Sequence, residues 1–320
     1  MQGETRRNTA LIGIDVGGAN VKMVAGRDVS IHYCPLWSNA PLKELLRTCQ
    51  SGTSGAAVVM SGELADCFFD KMDGIRWICS QVLEVFPEAM FYGTDARFHQ
   101  APVPELAAAN WLVSADYLRA LYPGSVLVDI GSTTTDIIPL ARFDRLKGLS
   151  DLERLQRGYL IYTGMLRTPV PALIRSVALA GGDTPVSTEY FACSGDVHLA
   201  LGHISPKDYT SDTPDGKEKT REAARRRLAR VVCADIGEIG TEGADRIARE
   251  FYRAQKELII SGIRRVCDES GCESILFAGT GGRYYAGELG GIDLSRELGS
   301  RSDALPAYSV REVAIRDLFS

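Results

Sequence analysis

One local design occurs twice in this chain and constrains its fold more than any other feature. Residues 11–24 and 126–140 each read as a short apolar strand, an Asp-x-Gly turn and a second strand. The first turn carries Asp15 and Gly17, and the second carries Asp129 and Gly131. Glycine lets the backbone turn sharply and lets a ligand approach it closely. The repeat therefore predicts two hairpins, each with a carboxylate at the end of its first strand.

Both turns suit a phosphate group and its counter-ion. Backbone N–H groups and hydroxyls in such turns bind anions, and carboxylates are preferred ligands of Mg²⁺. We therefore predict that Asp15 and Asp129 hold Mg²⁺, and that Lys22 neutralises phosphate charge. An ordinary Ser/Thr-rich turn is the alternative for the second stretch alone, and the repeat argues against it. The predicted phosphate-binding residues are Gly17, Gly18, Ala19 and Asn20 in the first turn, and Gly131, Ser132, Thr133, Thr134 and Thr135 in the second.

A third Gly-rich loop follows later in the chain. Residues 274–278 form a short apolar run that leads into Gly279, Thr280, Gly281 and Gly282, which we also predict to bind phosphate. A single Gly-rich loop is a weak signal. Two matching hairpins followed by such a loop are more specific, because all three would have to arise together by chance.

This order of loops resembles the actin, Hsp70 and sugar-kinase superfamily over residues 11–283. The chain resembles most closely the hydantoinase A/oxoprolinase-like branch, in the stretches 13–20, 61–66, 109–111, 129–139 and 162–169. The resemblance implies an α/β protein with an actin-like ATPase (ribonuclease H-like) fold, in which two lobes with mixed sheets face a central cleft. We expect lobe I to comprise residues 1–124 with a C-terminal helix at 307–320, and lobe II to comprise residues 125–306.

The resemblance also implies a function, since the branch includes a condensing enzyme of methanofuran biosynthesis. Such a transferase joins an aminomethyl-furanmethyl diphosphate to the phenol of γ-glutamyltyramine and releases diphosphate. It would need Mg²⁺ but not ATP, although ATP can bind to loops of this kind. An ATP-dependent kinase or hydantoinase/oxoprolinase-like ATPase is one alternative. An actin- or Hsp70-like assembly or chaperone protein is another, but 320 residues leave no room for a peptide-binding domain.

Four further side chains are candidates for the chemistry. A phenol has a pKa of about 10 and needs a base, for which Asp136 and Glu63 are the candidates; the sequence does not decide between them. Glu63 follows a predicted strand, where ligands gather in α/β sheets. Arg167 can bind a phosphate or carboxylate with two hydrogen bonds. The resemblance makes Arg167 and Asn110 candidate substrate-binding residues.

The composition argues against nucleic acid and membranes as partners and leaves small molecules. The net charge is −5, from 36 basic and 41 acidic residues, so the chain is not suited to coat nucleic acid or an anionic membrane. No apolar run approaches the roughly 20 residues of a membrane span. Residues 1–9 lack the core of a signal peptide and are expected to form a short tail. Eight cysteines without a C-x-x-C pair argue against zinc and for a reducing compartment, so we expect a cytoplasmic protein, with a homo-oligomer allowed.

Residues 205–220 are the most polar stretch of the chain, and they carry two prolines. This composition predicts a loop without regular structure. A polar loop of this length near a cleft can act as a lid over it.

Overall fold

The computed structural model describes residues 11–38, 40–49, 55–272 and 274–318. The tail predicted for residues 1–9 lies outside these ranges. In chain order the strands of the described residues are β1 Leu11–Gly17, β2 Asn20–Ala25, β3 Asp28–Tyr33, β4 Gly55–Ser61, β5 Met90–Tyr92, β6 Phe98–His99, β7 Ser125–Ile130, β8 Thr135–Pro139, β9 Leu160–Ile161, β10 Ser176–Leu179, β11 Gly182–Pro185, β12 Ser274–Ala278 and β13 Ile292–Asp293.

These strands form two mixed sheets and one separate hairpin. The first sheet has the order β3-β2-β1-β4-β5-β6, in which β1 is antiparallel to β2 and parallel to β4. The second has the order β13-β12-β7-β8-β9, in which β7 is antiparallel to β8 and parallel to β12. The central parallel strands are continuous apolar runs because both of their faces are buried. Each predicted hairpin thus lies at the centre of its own sheet.

The helices cover these sheets. In chain order those of the described residues are α1 Leu42–Thr48, α2 Lys71–Leu83, α3 Asn110–Leu118, α4 Phe143–Leu146, α5 Asp151–Arg157, α6 Ser194–Leu201, α7 Arg221–Arg230, α8 Ile236–Ser270, α9 Gly282–Leu289, α10 Ser295–Leu298 and α11 Leu305–Leu318. The helix α8 is interrupted at Gly240, whose φ is 65°. Among these helices none is long and apolar enough to cross a membrane.

The last helix, α11, returns to the first sheet. A Cβ atom at Gly13 would lie 1.9 Å from the carbonyl oxygen of Ala307, so only glycine permits this approach of helix to strand. Arg311 then donates from Nε to the carbonyl oxygen of Leu11 at 2.9 Å. The lobe boundaries given above remain a prediction.

The helix α3 connects the two halves of the core. Its buried residues, among them Leu112 and Val113, belong to the same hydrophobic cluster as Val59 of β4 and Val128 of β7. The opposite face of the first sheet packs into a second cluster with α1 and α2. Because one apolar cluster joins both sheets, the ends of β1 and β7 are held in a fixed relation to each other.

Candidate active site

The first hairpin turn is anchored by the loop that follows β4. Gly17 is paired with Ser61 in the sheet, and a Cβ atom at Gly62 would lie 2.9 Å from the carbonyl carbon of Gly17. The carbonyl oxygens of Gly18 and Ala19 accept hydrogen bonds of 2.9 Å from Leu36 and Cys34. Asn20 has a buried Oδ1 atom without a hydrogen-bond partner. The turn is therefore fixed by its own lobe before any ligand binds.

The second turn is anchored by the loop at residues 163–168. The carbonyl oxygen of Ser132 accepts from the backbone N–H groups of Leu166 and Arg167, at 2.9 and 3.1 Å. A Cβ atom at Gly164 would lie 2.7 Å from the carbonyl oxygen of Gly131, so glycine is required for this contact. Thr135 is buried and its hydroxyl donates to the carbonyl oxygen of Thr163 at 2.8 Å. Its hydroxyl is thus used within the fold, whereas Ser132, Thr133 and Thr134 are part-exposed.

The two hairpins bring carboxylates together from both sheets. Burial raises the pKa of Asp15 to about 6 and that of Asp129 to about 7; Lys22 opposes the increase, and Asp136 adds to it. Such mutual effects require the four side chains to lie close to one another. Lys22, opposite Asp15 in the β1–β2 register, donates to the carbonyl oxygen of Asp303 at 2.8 Å. The predicted Asp15, Asp129 and Lys22 thus form one site, in which Asp15 is buried and the other two are partly buried, and to which the structure adds Asp303.

This site has the donors that a hard cation needs. Asp15 has a buried Oδ1 atom to which no other described residue donates a hydrogen bond, and burial disfavours the charge on both Asp15 and Asp129. No cluster of three or more His, Cys, Asp or Glu ligands occurs in the part of the chain that the structure describes. Mg²⁺ is commonly held by one or two carboxylates with waters and substrate phosphates. Asp15 and Asp129 therefore suit a Mg²⁺ ion whose remaining ligands come from water and from the phosphate groups of a bound ester.

The third loop packs against the second hairpin. Gly279 has a φ of 78°, and a Cβ atom there would lie 2.2 Å from Oδ1 of Asp129. The N–H groups of Gly279 and Gly281 donate to the carbonyl oxygens of Ser302 and Ile130 at 3.1 and 2.9 Å. These two N–H groups are therefore used within the protein. Thr280 and Gly282 lie at the turn and at the start of α9, and phosphate binding by this loop stays a prediction.

Asp136 lies in an ion pair that the sequence did not indicate. Its Oδ1 accepts from Arg154, whose guanidinium also donates to Asp151 at 2.7 Å and lies 4.3 Å from the ring centroid of Trp111. Burial raises the pKa of Asp136, and Arg154 opposes this effect. Arg154 belongs to α5, which lies within the polar residues 142–158. The Ser-x-x-Glu capping box at Ser150 was the signal for that helix.

Glu63 is buried beside the first hairpin turn. Glu63 is 1% exposed, and its Oε2 has no hydrogen-bond partner among the described residues. Burial raises its pKa, and Asp151 adds to the increase. The structure therefore brings Glu63, Asp151, Arg154 and Asp136 into one region next to the hairpins.

The two predicted substrate-binding residues have different surroundings. Arg167 donates to Oγ1 of Thr133 at 3.3 Å, and its guanidinium lies 4.7 Å from the ring centroid of Trp37, which sequence reasoning missed. Trp37 follows Leu36, whose N–H binds the first hairpin turn, so Arg167 contacts both sides of the cleft. Asn110 begins α3, and its Oδ1 accepts from the N–H of Trp111 at 2.9 Å. A contact of Asn110 with substrate stays a prediction.

Residues 205–220 have no regular secondary structure, as predicted. Tyr209 is buried, and Asp215 forms ion pairs of 3.1 Å with Arg227 and Arg230. Asp212 accepts from the hydroxyl of Tyr33 on the first sheet at 2.8 Å. The segment thus extends from α7 to the edge of the first sheet, and its opening as a lid stays a prediction.

Comparisons with known proteins agree with this architecture. Residues 54–310 match the hydantoinase/oxoprolinase family. The chain is 34% identical over 283 residues to a (4-{4-[2-(gamma-L-glutamylamino)ethyl]phenoxymethyl}furan-2-yl)methanamine synthase of Methanocaldococcus jannaschii, covering 85% of this chain and 86% of that protein. A synthase of the same name from Methanococcus vannielii is 37% identical over 172 residues, covering 54% of this chain and 78% of that protein.

A solved structure supports the fold. Nucleotide-free acetone carboxylase aligns with a TM-score of 0.53 at 9% identity, covering 94% of this chain and 70% of that one. At this identity the likeness concerns the fold alone. It confirms the predicted two-sheet α/β fold of the actin-like ATPase type.

Proposed function

This chain belongs to the hydantoinase/oxoprolinase family, and from that premise we propose that it is a transferase of methanofuran biosynthesis. It condenses an aminomethyl-furanmethyl diphosphate with the phenol of γ-glutamyltyramine and releases diphosphate. The two relatives are both named as synthases, and this confirms the prediction that the chain is an enzyme. The alternative of an assembly or chaperone protein is not favoured. Their printed names contain the phenoxymethyl-furan ether that this reaction forms.

One observation supports the proposal at the level of single residues, namely the arrangement of charged side chains that would bind diphosphate. Asp15, Asp129 and Lys22 come from two hairpins and lie within electrostatic reach of one another in a partly buried site. Diphosphate is a good leaving group only when its negative charge is neutralised. Lys22 supplies one positive charge, and Asp15 and Asp129 would hold Mg²⁺, which neutralises developing charge on a phosphate oxygen when bound. The hydroxyl turn at residues 132–134 would orient the phosphates.

The bond changes follow from these positions. The bond between the furan methylene carbon and the diphosphate oxygen breaks, and its electron pair leaves with diphosphate. The furan oxygen donates electron density and so tolerates positive charge at the methylene carbon. The phenol oxygen then forms the new ether bond at that carbon, and its proton passes to a base. Neither an oxidant nor ATP is needed for this balance.

We assign the base to Asp136. Burial raises the pKa of its carboxyl group, which makes it a stronger base than an exposed aspartate. Arg154 holds it by an ion pair and so fixes its direction. Arg167 lies between Thr133 and Trp37, where it would bind the carboxylate of the glutamyl group or a phosphate oxygen.

The test is direct. Purified protein is incubated with Mg²⁺, the furan diphosphate and γ-glutamyltyramine, while diphosphate release is measured together with the ether by mass spectrometry. We expect equal amounts of ether and diphosphate without ATP. Ether formation that requires ATP, or ATP hydrolysis without any ether, would instead favour the ATP-dependent alternative.

A further inference from the structure

The donor in the proposed reaction carries a second charged group that the phosphate site does not explain. Its aminomethyl group is a primary amine and is protonated at neutral pH, as a lysine side chain is. An ammonium ion in a closed site is costly unless a carboxylate pairs with it. The protein therefore needs an anionic partner at some distance from the diphosphate.

The neighbouring carboxylates already have cationic partners. Asp136 is paired with Arg154, which also binds Asp151. Asp15 and Asp129 share Lys22 and are the predicted ligands of the metal. These four groups are therefore occupied by the protein or by the diphosphate and its counter-ion.

Glu63 differs from them because it forms no salt bridge within the described part of the chain, and because Asp15, which also has an unpartnered oxygen, is a predicted metal ligand. The residue is 1% exposed, and within the part of the chain that the structure describes its Oε2 has no hydrogen-bond partner. A carboxylate buried in this way lacks the compensation that buried charges normally have. An ammonium donor supplied by a ligand would provide it.

The position of Glu63 is also suitable. It lies two residues after Ser61, which pairs with Gly17 of the first phosphate turn. The negative charge of Asp151 on α5 adds to the rise in the pKa of Glu63, so the two carboxyl groups lie within electrostatic reach of each other. A furan ring between this carboxylate and the phosphate turns would have its amine and its diphosphate at opposite ends.

The backbone around Glu63 is fixed by unusual contacts. A Cβ atom at Gly74 would lie 2.1 Å from the carbonyl oxygen of Glu63, so α2 packs directly against this residue. Ala108, whose backbone opposes the rise in the pKa of Glu63, has a φ of 47°. A residue other than glycine rarely adopts this conformation, and it occurs preferentially at functional sites. The backbone that carries Glu63 is thus fixed, and Oε2 of its carboxylate has no hydrogen-bond partner among the described residues.

We propose that Glu63 binds the aminomethyl ammonium of the furan donor and so selects donors that carry this amine. This inference rests on the proposed function, because it takes the donor from that reaction. It replaces the role of general base, for which Glu63 was a candidate, with that of a specificity-determining residue.

A comparison of two donors tests the proposal. One is [5-(aminomethyl)furan-3-yl]methyl diphosphate, whose substitution matches the ether in the relatives' names, and the other has a methyl group in place of the aminomethyl group. The preference of an enzyme is its kcat/KM for the amine donor divided by its kcat/KM for the methyl donor. This preference should be about 10- to 100-fold larger in the wild type than in Glu63→Gln, because a hydrogen bond to a charged group usually contributes that much. Differences in the intrinsic reactivity of the donors cancel in this ratio of ratios. Glu88→Gln, on the exposed surface of the same lobe, is the matched control and should retain the wild-type preference.

The outcomes separate the two hypotheses. A loss in Glu63→Gln that is equal for both donors would assign Glu63 to chemistry or folding and would overturn the inference. The same would follow if the wild type itself had no preference for the amine. Ether formed from neither donor by the wild type would contradict the proposed function instead. If Glu63→Gln does not fold, Glu63→Asp provides the second variant and should retain part of the preference, because it keeps the charge.

Discussion

Arg154→Met should reveal how strongly the site depends on its buried ion pair. The Arg154 side chain is 3% exposed, and it binds Asp136, which is 14% exposed, as well as Asp151. Removing one partner of a buried pair leaves the other charge uncompensated and typically costs about 3–5 kcal/mol. Asp151 is 36% exposed and can be solvated in the variant, so Asp136 accounts for most of this cost.

The loss should depend on pH in a defined direction. Burial already raises the pKa of Asp136, and the variant lacks the guanidinium that opposes this effect. A carboxyl group with a raised pKa in the folded state favours folding when it is protonated, and this contribution is lost as pH rises through the folded-state pKa. The variant should therefore approach the wild-type stability in mild acid and fall furthest below it near neutral pH.

Urea unfolding at several pH values measures this effect. Arg157→Met is the matched control, because Arg157 is exposed on the same helix, and it should cost less than about 1 kcal/mol. The double variant Asp136→Asn/Arg154→Met should regain part of the lost stability, because it removes the uncompensated charge. A cost for Arg154→Met as small as that of the control, at every pH, would refute the reasoning.

Three further predictions concern the phosphate site. Diphosphate with Mg²⁺ should bind with micromolar to millimolar affinity in calorimetry, and Asp15→Asn or Asp129→Asn should each abolish the effect of Mg²⁺; if both variants keep full activity in EDTA, neither residue holds the metal. Asp136→Asn should still bind diphosphate, but its turnover should fall by about 10²–10⁴, the size of a lost general base; a turnover near that of the wild type would exclude Asp136 as the base. Gly279→Ala should lower both thermal stability and activity, because the new Cβ would lie 2.2 Å from Oδ1 of Asp129 and φ at this residue is 78°; unchanged melting and activity would contradict the role given to this glycine.

The sequence by itself determined the local architecture of the site. The apolar runs and Asp-x-Gly turns at residues 11–24 and 126–140 predicted both hairpins, and these form β1–β2 and β7–β8. This succeeded because a hairpin and its turn depend on residues that are close in the chain. The order of the loops further indicated the superfamily and the branch, which the family match confirms.

Only the tertiary structure decided which side chains share the site. Asp15 and Asp129 are more than a hundred residues apart in the chain, and they meet because one apolar cluster holds the two sheets together. The pairing of Asp136 with Arg154 likewise depends on how α5 packs beside β8 and β9. Neither the spacing nor the composition of the chain contains this information, since contacts between distant segments follow from how whole sheets and helices pack. The sequence also named Glu63 as a candidate for the chemistry. What Glu63 binds was suggested only by its burial without a hydrogen-bond partner for Oε2 among the described residues, which again depends on packing.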